Sequence, residues 1–385
     1  MFEYFPRNYV WNLSVAIALE SGAQIGEIDE MCRPLRDAAA RGEDAGTADF
    51  FASWVRVADR LAALAAADES AGRSFSAATK LNRAALYYQI AERMQAHGFE
   101  PRAEVFRKAQ QSFRRSMQLG RENYERIEIP YLDGIIPGIL VNAAQAGGRS
   151  PLMIYVNGLD SSKEMLYWSG LGRELLKRGV STLHIDQPGS GEALRVHGLV
   201  ATYDTERWAS KVLDHVLTRA DVDPQRIGLV GISLGGYYTP RAVAFEPRFA
   251  LGAVWGANHN WGEVQVRRLA REGDRPVPHY WEHVRWVFGA RDMAEFMQLA
   301  APMNLNGVLD RIRVPFLVTH GSQDRQIPVE YAHQTYDQLV NSPRRELKLF
   351  DAATGGVEHV SCDNMSFGRS YIADWIAEVF GMPVA

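Results

Sequence analysis

Cysteine is almost missing from this sequence: among its 385 residues only Cys32 and Cys362 carry a thiol. Two distant cysteines exclude a disulfide framework and any cysteine-rich zinc site, and they suit a reducing cytoplasm. A surplus of either charge is lacking too. The 42 Lys and Arg against 46 Asp and Glu give a formal net charge of -4, and the arginines are scattered, so nothing global favours nucleic acid or an anionic membrane as a partner. No apolar run reaches the roughly 20 residues that span a bilayer. The first residues, Met1-Phe2-Glu3-Tyr4-Phe5-Pro6-Arg7, lack the basic start and cleavage site of a secretory signal. Self-similarity at a fixed period is absent as well, which makes a packed helical domain a simpler reading than a helical repeat. These absences leave a soluble, cytoplasmic protein long enough for two domains or one large domain with additions.

What is present is concentrated in one stretch. Gly231-Ile232-Ser233-Leu234-Gly235-Gly236 directly follows the apolar run Ile227-Gly228-Leu229-Val230, which reads as strand, sharp turn, then helix. Small residues around the serine are what a nucleophile elbow requires, because the turn holds Ser233 in a strained conformation that a nearby Cβ would block. The pentapeptide alone is weak, since Gly and Ser are frequent in loops. Its expected partners follow in the order acid, then histidine. The buried strand Val314 to His320 leads into Gly321-Ser322-Gln323-Asp324, and the strand Glu346 to Phe350 leads into a glycine-containing loop ending at His359. Asp324 is the candidate acid and His359 the candidate base. Each alone reads equally well as a turn or capping residue; together they supply what a serine hydroxyl needs at neutral pH. An imidazole takes its proton, and a carboxylate fixes the imidazole's tautomer and stabilises its positive form.

An oxyanion hole completes such a site. One donor is expected from the backbone N–H of Leu234, next after the nucleophile, and a second from the loop Asn157-Gly158-Leu159-Asp160 after the strand Leu152 to Val156. There the Leu159 amide is the first choice and Gly158 the second.

From about Tyr124 onward these motifs resemble the α/β-hydrolase superfamily. Asp186-Gln187-Pro188-Gly189-Ser190-Gly191 looks like its D-x-P-G-x-G turn, and Asn157-Gly158 stands where many members carry His-Gly. That departure keeps the backbone donors but leaves the local hydrogen bonding open. The expected fold is therefore a mostly parallel sheet with flanking helices. Leu132-Asp133-Gly134, between the runs Arg126 to Pro130 and Gly134 to Val141, signals an antiparallel hairpin at its start.

Residues 1–120 read as an all-helical domain. Phe51, Trp54, Ala58 and Leu61 share one face, as do Leu86, Ile90 and Met94, and Phe106, Ala109, Phe113 and Met117. Phe5 to Leu19 is apolar enough to pack on a neighbouring domain, with a homodimer contact as the alternative. Residues 121–385 are the expected hydrolase domain, interrupted by a helical cap at about 262–311. Trp255, Trp261, Trp281 and Trp286 fall near or in that insertion, where aromatics serve either as the cap's own core or as pocket lining. Asn258, His259, Trp261 and Glu263 leave a strand at the end that carries Ser233 and are candidate substrate contacts. His259 reads equally well as a structural histidine.

A helical domain before a capped hydrolase is similar to the group of 2,6-dihydroxypseudooxynicotine hydrolase, the fungal Yg1-type polyketide-shortening hydrolases and FrsA-type esterases. Asn157-Gly158-Leu159-Asp160-Ser161-Ser162-Lys163-Glu164 resembles its G-G-x-x-S-x-K-E loop. The resemblance implies hydrolysis of a carbon–carbon bond next to a ketone in a small aromatic or polyketide-like substrate, without metal or other cofactor. Lys163 and Glu164 read first as a structural pair, with Glu164 a lesser candidate for substrate contact. Three other readings stay open: a carboxylesterase or lactonase, an acyl-transferring cyclase, and a non-catalytic receptor.

Overall fold

The apolar runs after residue 124 become strands: β1 (Glu125–Tyr131), β2 (Gly134–Val141), β3 (Ser150–Val156), β4 (Ser181–Ile185), β5 (Val222–Ile232), β6 (Leu251–Trp255), β7 (Phe316–Gly321) and β8 (Arg345–Phe350). In the computed structural model, which describes residues 1–271 and 273–384, these eight form one sheet in the order β1-β2-β4-β3-β5-β6-β7-β8. β1 with β2 and β2 with β4 are antiparallel, and every other pairing is parallel. β3, β4, β6 and β7 are buried along their whole length, the pattern of strands covered on both faces. Register places Val156 beside Ile185 and Gly231, Ile232 beside Trp255, and Trp255 beside Thr319. The loops that begin at Asn157, Asp186, Ser233 and Gly256 therefore leave the sheet at one level, at the carboxyl ends of parallel strands where open α/β sheets carry their sites.

The helices are α1 (Tyr9–Glu20), α2 (Ile25–Cys32), α3 (Arg36–Ala40), α4 (Thr47–Ser70), α5 (Ser74–Arg93), α6 (Pro101–Gly120), α7 (Lys163–Trp168), α8 (Leu171–Lys177), α9 (Gly191–Arg195), α10 (Glu206–Leu217), α11 (Gly235–Phe245), α12 (Trp261–Leu269), α13 (Tyr280–Phe288), α14 (Met293–Ala300), α15 (Glu330–Gln338) and α16 (Met365–Val379). The chain forms two compact units: Met1–Tyr124 with Asp274–His283, and Glu125–Gly273 with Val284–Ala385. Part of the stretch expected as cap thus joins the helical unit. There the His279 N–H donates to Asp44 at 2.7 Å, and Arg93 donates to the Pro276 carbonyl at 2.8 Å. The helical unit's core is aromatic, with Phe50 stacked on Trp54 and the edges of Trp11 and Tyr87 meeting that pair.

The first hairpin differs from its Asp-Gly signal. The β1–β2 hairpin turns through Leu132 and Asp133, and the positive φ of 51° falls on Leu132. Gly134 is already in β2, where a Cβ would come within 3.1 Å of the His197 and Leu199 side chains. At the end of α6 the left-handed residue is Arg121, one beyond Gly120.

Candidate active site

Ser233 follows β5 without a spacer. Its φ of +59° is uncommon for a residue with a Cβ. Its N–H donates to the Trp255 carbonyl at 3.0 Å, and its own carbonyl accepts from the Gly236 N–H at 2.8 Å, so the chain passes at once into α11. The flanking glycines answer to space. A Cβ on Gly231 would lie 2.2 Å from the Gly235 carbonyl oxygen, and one on Gly236 would lie 1.9 Å from that of Gly256.

His359 is presented by a second strained turn. Val360 and Ser361, next in the chain, have φ of 48° and 58°, and a β-branched valine there is an outlier that surrounding structure must enforce. The enforcement is visible. The Asp363 carboxylate accepts the N–H groups of Gly356, Val357 and Glu358 at 3.1, 3.1 and 2.9 Å, and the Trp255 indole donates to Ser361 Oγ at 3.1 Å.

The two turns and the loop after β7 bring three side chains together. His359 Nε2 lies 2.9 Å from Ser233 Oγ, and His359 Nδ1 lies 2.8 Å from Asp324 Oδ2. A carboxylate only accepts, so Nδ1 carries the ring hydrogen and Nε2 is left as an acceptor toward the serine. Asp324 Oδ1 takes the N–H groups of Gln326 and Ile327 at 2.7 and 3.0 Å. Complete burial opposes charge on Asp324, but His359, His320 and the Ile327 amide outweigh it and hold the carboxyl below its ordinary range.

The Asn157–Leu159 loop packs directly on the serine. A Cβ on Gly158 would stand 2.8 Å from Ser233 Cβ and 3.2 Å from its Oγ, so only glycine lets this backbone approach. Gln187 clamps the loop: its Oε1 accepts the Asn157 N–H at 3.0 Å, and its Nε2 donates to the Asn157 carbonyl at 3.1 Å. The amides of Leu159 and Leu234, both buried, find no acceptor among the described residues, and buried amides are otherwise nearly always paired. The Asn157 side chain turns away from the serine and donates to the Ile185 carbonyl and to Asp186 at 2.7 and 3.2 Å, tying its loop to the next one.

The chain matches the family described as esterase FrsA-like over residues 47–256 and the prolyl oligopeptidase family over residues 175–381, each more than half its length. The chain belongs to the FrsA-like hydrolases. This FrsA-like hydrolase, equally a member of the prolyl oligopeptidase family, is 26% identical to a Fusarium protein named Hydrolase LUC6, with 99% of each chain covered. It is 27% identical to the 2,6-dihydropseudooxynicotine hydrolase of Paenarthrobacter nicotinovorans over 93% of this chain and 94% of that one. The crystal structure of the 2,6-dihydroxy-pseudo-oxynicotine hydrolase has the same fold, with a TM-score of 0.75, 23% identity and 95% of each chain covered.

The FrsA-like hydrolase buries a cluster of ions, joined to the Asn157–Leu159 loop through Asp186. Lys163 Nζ reaches Glu164, Asp186 and Glu192 at 2.8, 2.9 and 2.9 Å, and Arg126 grips Glu192 with two bonds of 3.0 and 2.8 Å. Burial works against the charge on Lys163, but the three carboxylates outweigh it and raise the ammonium above its ordinary range. Glu164 thus belongs to this cluster, with one oxygen on Lys163 and the other buried without a partner.

The other candidate contacts have surroundings of their own. His259 is buried with Nδ1 3.1 Å from Thr335 Oγ1 and Nε2 2.9 Å from Asn306 Oδ1. Trp261 stacks on Phe288 at 5.1 Å and meets Phe296 edge-on. Glu263 accepts from Tyr331 and Arg267 at 2.6 and 2.7 Å. Asn258 is buried with its amide oxygen unpartnered. Its backbone lies beside α11, since its N would be 2.9 Å from a Cβ on Gly236. Gln187, Asp363 and His320 are the positions that sequence reasoning missed. The signal for Gln187 lay inside the turn motif already singled out, and that for Asp363 in the Asp-Asn pair before α16.

Proposed function

We propose that this FrsA-like hydrolase uses Ser233 as nucleophile, His359 as general base and acid, and Asp324 as its orienting carboxylate, to hydrolyse a carbon–carbon bond next to a ketone in a small aromatic or polyketide-like substrate. The observation that carries the reading is the unbroken chain of short hydrogen bonds from Asp324 Oδ2 through His359 to Ser233 Oγ. Ser233 attacks the ketone carbon as His359 Nε2 takes its proton, and the amides of Leu234 and Leu159 receive the oxyanion. Collapse of the tetrahedral adduct re-forms the carbonyl as an ester on Ser233 and breaks the bond to the neighbouring carbon. The electron pair leaves on that carbon, and the proton on His359 is delivered to it. A carbanion is a far poorer leaving group than an alkoxide, so the substrate must delocalise the charge, as a 1,3-diketone or an acyl group on an electron-accepting phenol does. Water, deprotonated by His359, then releases the acid and restores the serine.

Support for a ketonic substrate comes from the full-length likeness to the protein named 2,6-dihydropseudooxynicotine hydrolase and from the Asn157 to Glu164 loop. The esterase description of the matching family favours a second reading, in which the same groups cleave a bulky apolar ester. Turnover of aryl esters against an aromatic 1,3-diketone separates the two. Carbon–carbon cleavage is expected to release one carboxylic acid and one ketone from the diketone, with a mass gain of one water; cleavage of esters alone would leave only the second reading.

A further inference from the structure

We infer that His320 is a positioning residue that holds Asp324 in register with the Ser233 turn, an inference that rests on the roles proposed above for Ser233, His359 and Asp324. His320 lies near the end of β7 and is completely buried. The Ala257 N–H donates to its Nδ1 at 3.1 Å, and its Nε2 stands 3.1 Å from the Ile327 carbonyl. A backbone N–H only donates and a carbonyl only accepts, so the two contacts together require the tautomer with hydrogen on Nε2.

One ring therefore joins the loop after β6 to the acid loop after β7. Ala257 lies just beyond the end of β6, two residues after Trp255, whose carbonyl accepts the Ser233 N–H at 3.0 Å. Ile327 closes the acid loop, and its own N–H holds Asp324 Oδ1 at 3.0 Å. His320 Nε2 is also 3.6 Å from Asp324 Oδ2, the oxygen bonded to His359. From the cap side, Arg268 braces the same loop through the Gln326 carbonyl and side-chain oxygen at 3.0 and 2.8 Å.

The charged and titratable groups that face the ring decide its state. Burial disfavours a proton, Asp324, the Ile327 carbonyl and Glu330 favour one, and His359 disfavours one; the balance holds the pKa below its ordinary value. A neutral His320 leaves the negative charge of Asp324 undivided for His359. A positive one would give up the Ala257 bond and compete for that charge.

Two substitutions separate the two bonds. An Asn Oδ1 reaches roughly the place of Nδ1, and a Gln Nε2 roughly that of the ring Nε2, so H320N keeps the link to Ala257 and H320Q the link to Ile327. A strut needs both ends. Each variant is expected to lose about 10- to 100-fold in kcat per active serine, with KM within about threefold, as small misplacements of reacting groups do. Wild-type kcat in both variants, alongside a dead Ser233→Ala, would overturn the inference. Turnover by Ser233→Ala would instead overturn the proposed function. Histidine-labelled wild-type protein supplies a readout that needs no variant to fold. Nitrogen chemical shifts are expected to show His320 as the neutral Nε2–H tautomer at neutral pH, and an Nδ1–H tautomer or a doubly protonated ring there contradicts it.

Discussion

At the scale of single residues, the site depends on groups whose neighbours leave them one arrangement. Asp324 is fixed by two backbone amides on one oxygen and His359 on the other. Asp324→Asn keeps the shape but favours the wrong imidazole tautomer, and kcat is expected to fall about 10³- to 10⁴-fold at neutral pH with circular dichroism unchanged. A smaller loss would mean that the carboxylate does not orient His359. Gly158→Ala tests space rather than charge. A methyl group 2.8 Å from Ser233 Cβ forces the Asn157–Leu159 loop or the serine to move, and kcat is expected to drop by at least about tenfold while KM changes less. Ser233, Asp324 and His359 were legible because a strained turn and a fixed chain order leave marks in sequence. His320 and Gln187 were not, because each acts through backbone groups of a different loop, and nothing in the sequence around them records which carbonyl or amide will stand opposite. Trp261 and His259, whose types and positions fit a pocket, also have partners within the fold, Phe288 for the one and Thr335 and Asn306 for the other.

At the scale of elements, strand order explains how the Asn157–Leu159 loop is tied to its neighbour. β4 lies between β2 and β3, so the loop after β4 runs beside the loop after β3, and Asp186 accepts from both the Lys163 ammonium and its backbone N–H, at 2.9 and 2.6 Å. Removing the single ammonium from this buried cluster leaves carboxylates facing one another. Lys163→Met is therefore expected to destabilise the protein by about 3–5 kcal/mol, read from urea unfolding. A loss below about 1 kcal/mol would show that the cluster does not hold the loop. The elements were mostly legible: the buried faces of α4 and α6 are those that the helical spacing of Phe51, Trp54 and Phe113 gave. Boundaries were less so. β5 begins at Val222, well before the apolar run at Ile227, because its early residues pair only at Ser150 across an irregularity. Likewise Asp274–His283 reads as cap from its place in the chain, but Asp44 and Arg93 hold it among the N-terminal helices.

At the scale of the whole molecule, buried histidines set a pH dependence of stability. His184 sits inside the sheet, donates to the Ile139 carbonyl at 3.3 Å, and has its pKa pushed down to about 4 by burial. In the unfolded chain a histidine takes up a proton near about 6.5. Between those values the unfolded state binds more protons, so stability is lost as pH falls from about 6.5 to about 4, by up to about 3 kcal/mol for this one group. His259 and His320, lowered for the same reason, act in the same direction. Glu192, held at about 2 by Arg126 and Lys163 against its burial, adds a loss only at more acid pH, below its unfolded value near about 4.3. Thermal midpoints are expected to fall from pH 7.5 to 5, and less steeply in His184→Gln; equal slopes would remove His184 from the account. No helix among the described residues is long and apolar enough to cross a membrane. Family membership accounts for a hydrolase, and the chain of bonds ending at Ser233 Oγ supports the proposal of which serine acts. The turnover of purified Ser233→Ala, on any substrate the wild-type protein cleaves, tests that most directly. A loss of at least about 10⁴-fold with an unchanged fold is the predicted result, and turnover within tenfold of wild type would contradict it.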